Sequence, residues 1–372
     1  MLSFARADAS EALYVPTAMV SLGSDGQDLL HVHGLAVTQI EVDLQLSMAG
    51  TFKFTIPDTF DTGRAEFLTA RRQPALPLLK LGTRVWIRMG YGDRARQPLL
   101  LAGYITSVGT GFAEGGSPDL EVSGQDALYP LTLGTRERRV KKGGVRAAVS
   151  QVAADYRLKL ELGGNPPEDV EPDSNMQSDM DFLRKLGANF GKGKDKWEFY
   201  ACPQPTADIL RFRPRSQATE VAVLKWGADL LSFKPEANLG NQISRVEVHG
   251  WDEIRKAPIL GQASAEGGAQ GKTAGEIQRG FLAQDVVREL RLPVRSKQEA
   301  DDRAAAELAK TIHDHLKGEG ETFGLPALVP DTRVKLEGLG AKFSRSFYVT
   351  KTTHRYDASG YRTRFAIEEP DS

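Results

Sequence analysis

The sequence has almost no cysteine: Cys202 is the only one in 372 residues, which excludes an intramolecular disulfide. A chain of this length builds about two to four hydrophobic cores without disulfides, and a single thiol suits synthesis in a reducing cytoplasm. The sequence also lacks any apolar run of about 18 residues, and its first residues contain no apolar segment of signal-peptide length. We therefore expect neither a membrane segment nor a classical secretion signal.

The chain has almost no net charge, because 48 Lys and Arg residues balance 49 Asp and Glu residues. No overall field would attract nucleic acid or an anionic membrane, so we expect no nucleic-acid binding. Charged residues make up 26% and hydrophobic residues 40%, which is typical of a soluble globular protein.

Motifs for catalysis are missing as well. There is no Gly-x-Ser-x-Gly motif, and Cys202 precedes a proline without a helix N-terminus to lower its pKa. Gly271-Lys272-Thr273 lacks the first glycine of a phosphate-binding loop, since Glu266 occupies that place. Asp179 and Asp181 suit the dipole at a helix N-terminus better than a catalytic carboxylate pair. We expect no enzymatic activity, no catalytic residues and no cofactor.

The histidines give no ligand set at metal-binding spacing. His31 and His33 would share one face only if their segment were extended, and no carboxylate or cysteine is placed to complete a site. His249 and His354 stand alone on predicted strands, where packing or hydrogen bonding is the simpler role. The sequence predicts no metal site.

From about Val15 to Leu133 the pattern is that of β-strands. Apolar and polar residues alternate over 40–46, 52–56 and 85–91, and strand-like segments follow at 99–108 and 119–124. Several short strands at this spacing predict a barrel or a sandwich.

A basic run follows, with Arg136, Arg138, Arg139, Lys141 and Lys142 in close succession. No aromatic residue alternates with these charges to stack on bases, so the run favours a solvated linker over a nucleic-acid site. A surface for a protein partner is the other alternative, and these five side chains are candidates for such an interface.

Helical patterns come next. Apolar residues recur at helical spacing over 145–156, and again over 182–190 after Ser178, which resembles the start of a capping box. A second capping box at 296–299 opens a helix that extends to about Gly318. Between these helices, 257–280 is poor in bulky apolar residues and predicts a mobile loop.

Near the end of the sequence, two alternating segments flank the turn Asp357-Ala358-Ser359-Gly360 and predict a β-hairpin. Arg362 and Arg364 fall on the face opposite Phe365 and Ile367, so one face packs and the other meets water or a partner. These two arginines are further candidates for a subunit or partner interface.

Three segments resemble the baseplate hub family of contractile tails: FYVTKTTHRYDASGYRTRF at 347–365, QSDMDFLRKLGANFG at 177–191, and Gly103-Tyr104-Ile105 with 120–126. The family includes the late control protein D of tailed phages, hubs of extracellular injection systems and the N-terminal part of the type VI secretion spike protein. The resemblance implies a mainly β fold with α+β insertions. Its expected parts are a first β-barrel at 1–134, an α/β insertion at 135–216, a second β-barrel from 217–256 and 325–372, and a loop and helical insertion at 257–324.

The resemblance also implies a structural role as the baseplate hub of a contractile phage tail or phage-like injection system, made in the bacterial cytoplasm and built into the particle. A homotrimer would join the hexameric inner tube to a trimeric spike, with baseplate wedge or sheath-associated proteins as further partners. Because the sequence stops at Ser372, soon after the second barrel, the spike is expected to be a separate protein. The alternatives are a soluble carbohydrate- or protein-binding β-domain protein and an enzyme of cell-wall degradation.

Overall fold

The computed structural model describes residues 15–368, apart from 24–25, 113, 115, 141, 167, 169–171, 190–195, 238–242, 253–255, 265–279, 281, 283, 295 and 314–315. Its fold is mainly β with a large antiparallel sheet, which confirms the predicted fold class. No helix in these ranges is long and apolar enough to cross a membrane.

The first third of the chain contributes strands and one short helix. Its elements are β1 Pro16–Leu22, β2 Gln27–Asp28, α1 Leu29–His33, β3 Gln39–Gln45, β4 Thr51–Ile56, β5 Phe60–Asp61, β6 Glu66–Phe67, β7 Arg84–Tyr91, β8 Leu99–Thr110 and β9 Leu120–Asp126. Along β3 and β4 every second side chain is buried, as the alternation of apolar and polar residues predicts.

The middle of the chain forms a small α/β body. Its elements are β10 Arg136–Arg139, α2 Gly144–Asp155, β11 Lys159–Leu162, β12 Asp173–Gln177, α3 Asp179–Asn189, β13 Trp197–Cys202 and β14 Ile209–Pro214. Both predicted helices are confirmed, and the Ser178 hydroxyl caps α3 by accepting from the Asp181 amide at 3.1 Å.

The last part of the chain returns to strands. Its elements are β15 Glu220–Lys225, β16 Leu230–Ala237, β17 Arg245–Asp252, β18 Ala257–Ser264, β19 Val287–Arg291, α4 Lys297–His313, β20 Leu316–Phe323, β21 Thr332–Glu337, α5 Gly340–Phe343, β22 Ser346–Asp357 and β23 Gly360–Glu368. The predicted hairpin is confirmed as β22 and β23. The capped helix is confirmed as α4, but it ends at His313 and β20 begins at Leu316, so its predicted extension to Gly318 was wrong.

One sheet connects the two ends of the chain, in the order β16-β20-β23-β22-β3-β4-β9-β8-β7-β1-β2, with β15 and β21 branching from β22. Strand β22 makes the connection, because residues 346–349 pair with β21 and residues 351–356 pair with β3. The change of partner coincides with a bulge between Val349 and Lys351. The two β halves are therefore continuous in hydrogen bonding.

Buried side chains form four hydrophobic cores within the described ranges. One lies in the first β half around Phe54, one in the α/β body around Phe182, one in the second β half around Phe347, and one beneath α4 around Val248. Each half of the large sheet thus has its own core even though its strands are shared.

The expected second barrel and loop need correction. Strand β17 pairs with β18 and β19 in a separate sheet under α4, whereas β20 belongs to the large sheet. Residues 257–264, predicted as loop, form β18. Bulky apolar residues are scarce there because helix and strand approach closely: a Cβ on Gly261 would lie 2.2 Å from the Ala300 carbonyl carbon. The rest of that predicted loop falls largely outside the described residues.

The hub-like motif at 103–105 and 120–126 has a physical explanation. Strands β8 and β9 approach so closely that a Cβ on Gly124 would lie 2.0 Å from the Tyr104 carbonyl oxygen. The Asp126 carboxylate accepts from the amides of Gly50, at 2.8 Å, and Leu128, at 2.9 Å. The motif therefore fixes the β3–β4 turn against the end of β9.

Candidate partner-binding surface

The outer side of the large sheet carries charged and polar side chains across both β halves. We name the outer side of β20, β23, β22, β3, β4 and β9 the charged sheet face. Its charged residues include Glu41, Lys53, Glu121, Glu321, Arg355, Arg362 and Arg364. A depression of about 370 Å³ lies on this face near the β22–β23 turn. The opposite side of the same strands packs into the cores.

Strand register places these charges in rows. Arg362 lies opposite Arg355, Arg355 opposite Glu41, and Glu41 opposite Lys53, so one row crosses four strands and passes from one β half to the other. The neighbouring row places Arg364 opposite Glu321. A rigid sheet thus presents charges at fixed spacing, which is how a surface selects a complementary partner.

Each arginine of this face is oriented by a neighbour. Like charges directly opposite each other are unfavourable unless each is compensated. Arg355 Nε lies 2.8 Å from Asp357 Oδ2, and the Arg362 guanidinium lies 5.5 Å from the Phe323 ring centroid. Arg362 and Arg364 therefore lie where the hairpin pattern places them, and their role at an interface stays a prediction.

The basic run is not a linker over 136–139, where it forms β10 paired with β12. Arg138 is nearly buried and donates through Nη2 to Asp179 Oδ2 at 2.9 Å and to Asp155 Oδ2 at 2.7 Å. Arg136 Nη2 donates to the Tyr156 hydroxyl at 2.9 Å. Burial raises the pKa of Asp179, but Arg138 and Tyr156 outweigh it and hold that pKa below its usual value. Arg138 is therefore paired within the chain by the carboxylates that end α2 and begin α3. Arg136 contacts the same group, but its side chain is 47% exposed, and its role at a partner interface stays a prediction.

The other three residues of the basic run differ in what the structure describes of them. Arg139 and Lys142 are exposed, and Arg139 Nη2 has Glu137 Oε1 at 3.8 Å. Lys141 lies outside the described residues. Arg139 and Lys142 stay candidates for a partner interface.

A buried group of charges, the junction cluster, fastens the α/β body to the large sheet. Arg215, whose side chain is 2% exposed, donates to Glu198 Oε1 at 2.8 Å and to Glu368 Oε2 at 2.7 Å. Its guanidinium lies 4.7 Å from the Tyr348 ring centroid, and the Ser47 hydroxyl donates to Glu198 Oε2 at 2.6 Å. No sequence pattern indicated this cluster, because Arg215 and Glu368 are 153 residues apart.

The pKa values at this junction follow burial and partner charge. Burial raises the pKa of Glu198, but Lys196 and Arg215 outweigh it and keep the pKa below its usual value. At Asp331 burial dominates and raises the pKa, although Arg213 Nε lies 2.6 Å away. The α/β body is thus held by paired charges in a site with little water.

His354 packs inside the sheet, as its place on a predicted strand indicated. Its Nε2 lies 3.1 Å from the Leu328 carbonyl oxygen, and its Nδ1 lies 2.8 Å from the Tyr361 hydroxyl. The carbonyl requires a donor, so the proton is on Nε2 and Nδ1 accepts. Burial lowers the pKa of His354 to about 3.

The structure also shows the positions of the three residues that the sequence raised as a possible metal ligand or nucleophile. His31 and His33 lie on helix α1, so they do not share the strand face considered for a metal, and His31 Nδ1 lies 2.6 Å from Asp28 Oδ2. Cys202 is buried, and burial raises the pKa of its thiol to about 11. A thiol with that pKa packs and does not act as a nucleophile.

Comparison with known proteins adds a family. The profile of Alg8_N, described as the Alg8 N-terminal domain, matches residues 16–357. The chain therefore belongs to the Alg8 N-terminal domain family. No curated protein matches this Alg8_N chain in sequence.

Solved structures with the fold of this Alg8_N chain come from tails and secretion systems. The 43 kDa tail protein of prophage MuSo2 from Shewanella oneidensis has a TM-score of 0.69 at 13% identity, covering 95% of this chain and 98% of its own. The tail protein from Neisseria meningitidis MC58 has a TM-score of 0.66 at 15% identity, covering 96% and 97%. The E. coli c3393 protein, a component of the type VI secretion system, has a TM-score of 0.56 at 12% identity, covering 95% and 77%. The resemblance to the hub family is thus confirmed at the level of the fold.

Proposed function

We propose that this protein is a structural baseplate hub of a contractile phage tail or phage-like injection system. In this role it forms a homotrimer that joins the hexameric inner tube to a trimeric spike. The spike is a separate protein, and baseplate wedge or sheath-associated proteins are further partners. The protein is a component of the particle and has no catalytic turnover.

The observation that carries this proposal is the pairing of β22 with β3. It joins two β halves into one sheet, and each half contributes six strands of at least six residues. Three copies would therefore present six similar halves to the tube. A chain with two linked halves is the form that an adaptor between threefold and sixfold symmetry requires.

The charged sheet face supports the proposal because its rows of charge cross the boundary between the halves. A partner bound there would contact both halves at once. The fold similarity to tail proteins supports the same role. On the charged sheet face, Arg355, Arg362 and Arg364 lie beside carboxylates, and such a mixed pattern complements a protein surface that also carries both signs of charge.

The test is reconstitution from purified components. The protein is mixed with the spike protein and the inner tube protein encoded beside it, and complexes are isolated by size exclusion. We expect a complex containing three copies of this chain with a spike trimer. Arg355→Glu with Arg364→Glu should weaken it at least about tenfold, whereas the control Lys159→Glu, at an exposed position of β11, should not.

Failure to recover either partner under any ionic strength would contradict the hub proposal. Equal weakening by the charged-face variants and by the Lys159→Glu control would instead contradict the assignment of the surface alone.

A further inference from the structure

The small sheet beneath α4 has a second face that the proposed hub role does not use. Helix α4 packs on one side, where Val246, Val248 and Ile259 form a core with Ala300 and Ala304. Side chains alternate along β17, so Glu247 and His249 point to the other side.

Register brings a third ligand-type side chain to the same place. Strand β19 runs parallel to β17, with Glu289 paired to Glu247 and His249 two residues further along. His249 Nε2 lies 3.9 Å from Glu247 Oε2 and 3.9 Å from Glu289 Oε2. One ligand atom from each residue falls within 4.8 Å of the others. Sequence inspection misses this group because Glu289 is far from His249 along the chain.

Two features indicate that this group is arranged for a cation. His249 Nε2 is shielded from solvent and has no hydrogen-bond partner, although an unsatisfied buried nitrogen is unfavourable. The carboxylates of Glu247 and Glu289 are neighbours on adjacent strands, where like charges repel, and the nearby Arg245 Nε pairs with the other Glu247 oxygen, Oε1. A cation between the three groups would remove both costs.

The surroundings of Glu247 leave one of its oxygens available. Its Oε1 accepts from Gln262 Nε2 at 3.2 Å and has Arg245 Nε at 3.2 Å, while its Oε2 faces His249. Outer neighbours that hold one carboxylate oxygen and direct the other are the usual support of a metal ligand.

We propose that Glu247, His249 and Glu289 bind one divalent transition-metal ion of the zinc class through Nε2 and two carboxylate oxygens. An imidazole with carboxylates favours such ions over magnesium or calcium, which prefer all-oxygen sites. Water or a group from a partner completes the coordination. Bonds of about 2.0–2.2 Å require the ligand atoms to close in to about 3.3 Å from one another. Glu289, whose side chain is 71% exposed, is free to make that movement.

A bound ion would link β17 to β19 directly. The chain between β18 and β19 runs through residues 265–286, so the parallel pair otherwise depends on its backbone hydrogen bonds and the core under α4. Metal binding would therefore stabilise this sheet by mass action.

The experiment uses the full chain, treated with chelator and then titrated with zinc chloride. Calorimetry gives the stoichiometry and affinity, and thermal denaturation gives the shift in Tm. We expect one zinc per chain and a higher Tm, with His249→Ala and Glu289→Gln each weakening binding at least about tenfold. Cobalt chloride should give a visible absorption band that His249→Ala abolishes.

His33→Ala and Glu137→Gln are matched controls, since His33 lies on α1 and Glu137 on β10, neither of which belongs to the sheet of β17, β18 and β19. Both variants should bind zinc as the unaltered protein does. If His249→Ala lowers the Tm of the metal-free protein, the exposed Glu289→Gln variant decides. Zinc affinity unchanged in Glu289→Gln, or binding of less than one zinc per chain with no Tm shift, would overturn the site.

Discussion

Arg138 on β10 and Arg364 on β23 differ in what their charges contact. The Arg138 side chain is 9% exposed and is paired with Asp179 and Asp155 of its own chain. The Arg364 side chain is 68% exposed, with Glu321 Oε2 at 3.3 Å. On sequence grounds both groups are candidates for a partner interface. A basic residue is available to a partner only where the fold leaves its side chain exposed. Asp155 and Asp179 hold Arg138 in a nearly buried position, whereas Arg364 stays exposed beside Glu321.

Arg215 is more deeply buried than Arg138 or Arg364, and its replacement should have the largest effect on stability. Arg215→Met removes a buried guanidinium that pairs with both Glu198 and Glu368, and it leaves Glu198 with Lys196 alone, whose Nζ lies 2.8 Å from Oε1. We expect a loss of about 3 kcal/mol in the free energy of unfolding. Urea denaturation monitored by tryptophan fluorescence measures it. A loss below about 1 kcal/mol would show that the junction cluster does not hold the α/β body.

Within the hairpin, the buried His354 should make the stability of the protein depend on pH. The pKa of His354 is about 3 in the folded protein, against an ordinary value of 6.5. Below pH 6.5 the unfolded chain takes up a proton that the folded chain does not, so stability falls as pH decreases from 6.5 toward 3.

This loss should reach roughly 2–3 kcal/mol between pH 6.5 and 4.5, at about 1.4 kcal/mol per pH unit. In His354→Gln the decline should be smaller by that amount, although the variant is less stable at pH 7. Urea denaturation at several pH values gives both curves. Parallel curves for the two proteins would contradict the buried, neutral histidine.

Replacement of Arg138 should cost less than that of Arg215, because Arg136 Nε still lies 3.2 Å from Asp179 Oδ2. For Arg138→Met we expect a loss of about 2 kcal/mol in the free energy of unfolding. Arg139→Met, whose exposed side chain is the matched control, should change stability by less than about 0.5 kcal/mol. Equal losses of stability in Arg138→Met and Arg139→Met would contradict the inference that pairing within the chain distinguishes Arg138 from Arg139.

Arg364 should contribute least to stability. Arg364→Met is expected to change the free energy of unfolding by less than about 0.5 kcal/mol, because an exposed ion pair contributes little. Thermal denaturation at low and high salt measures this change in stability. A loss above about 1.5 kcal/mol would mean that the charged sheet face serves folding instead of binding.

Local patterns predicted the elements well. The strict alternation around Asp357 and Gly360 predicted the hairpin, and Ser178 and Ser296 predicted where α3 and α4 begin, because these signals depend on neighbouring residues. Pairing between distant strands leaves no such signal. Nothing in the sequences of β3 or β22 indicates that these strands pair. Few bulky residues near Gly261 are expected both for a loop and for a strand packed closely on a helix, so composition could not distinguish the two.

The candidate surface was partly predictable. Alternation alone places Arg362 and Arg364 on the outer face, since Phe365 and Ile367 on the opposite face must be buried. The burial of Arg138 was not predictable, because it depends on Asp155 and Asp179, which are brought to β10 only by the packing of α2 and α3. The Glu247, His249 and Glu289 group likewise requires the register of β17 and β19.

We propose that three copies of this chain form a ring of six β halves, and the mass of the protein in solution is the decisive test. Light scattering should be recorded for the protein alone and for its mixture with the spike protein. We expect a species near three times 40.7 kDa for the protein alone, or three copies of the chain plus the mass of the bound spike in the mixture. A protein that remains at 40.7 kDa with the spike and tube proteins present would contradict it.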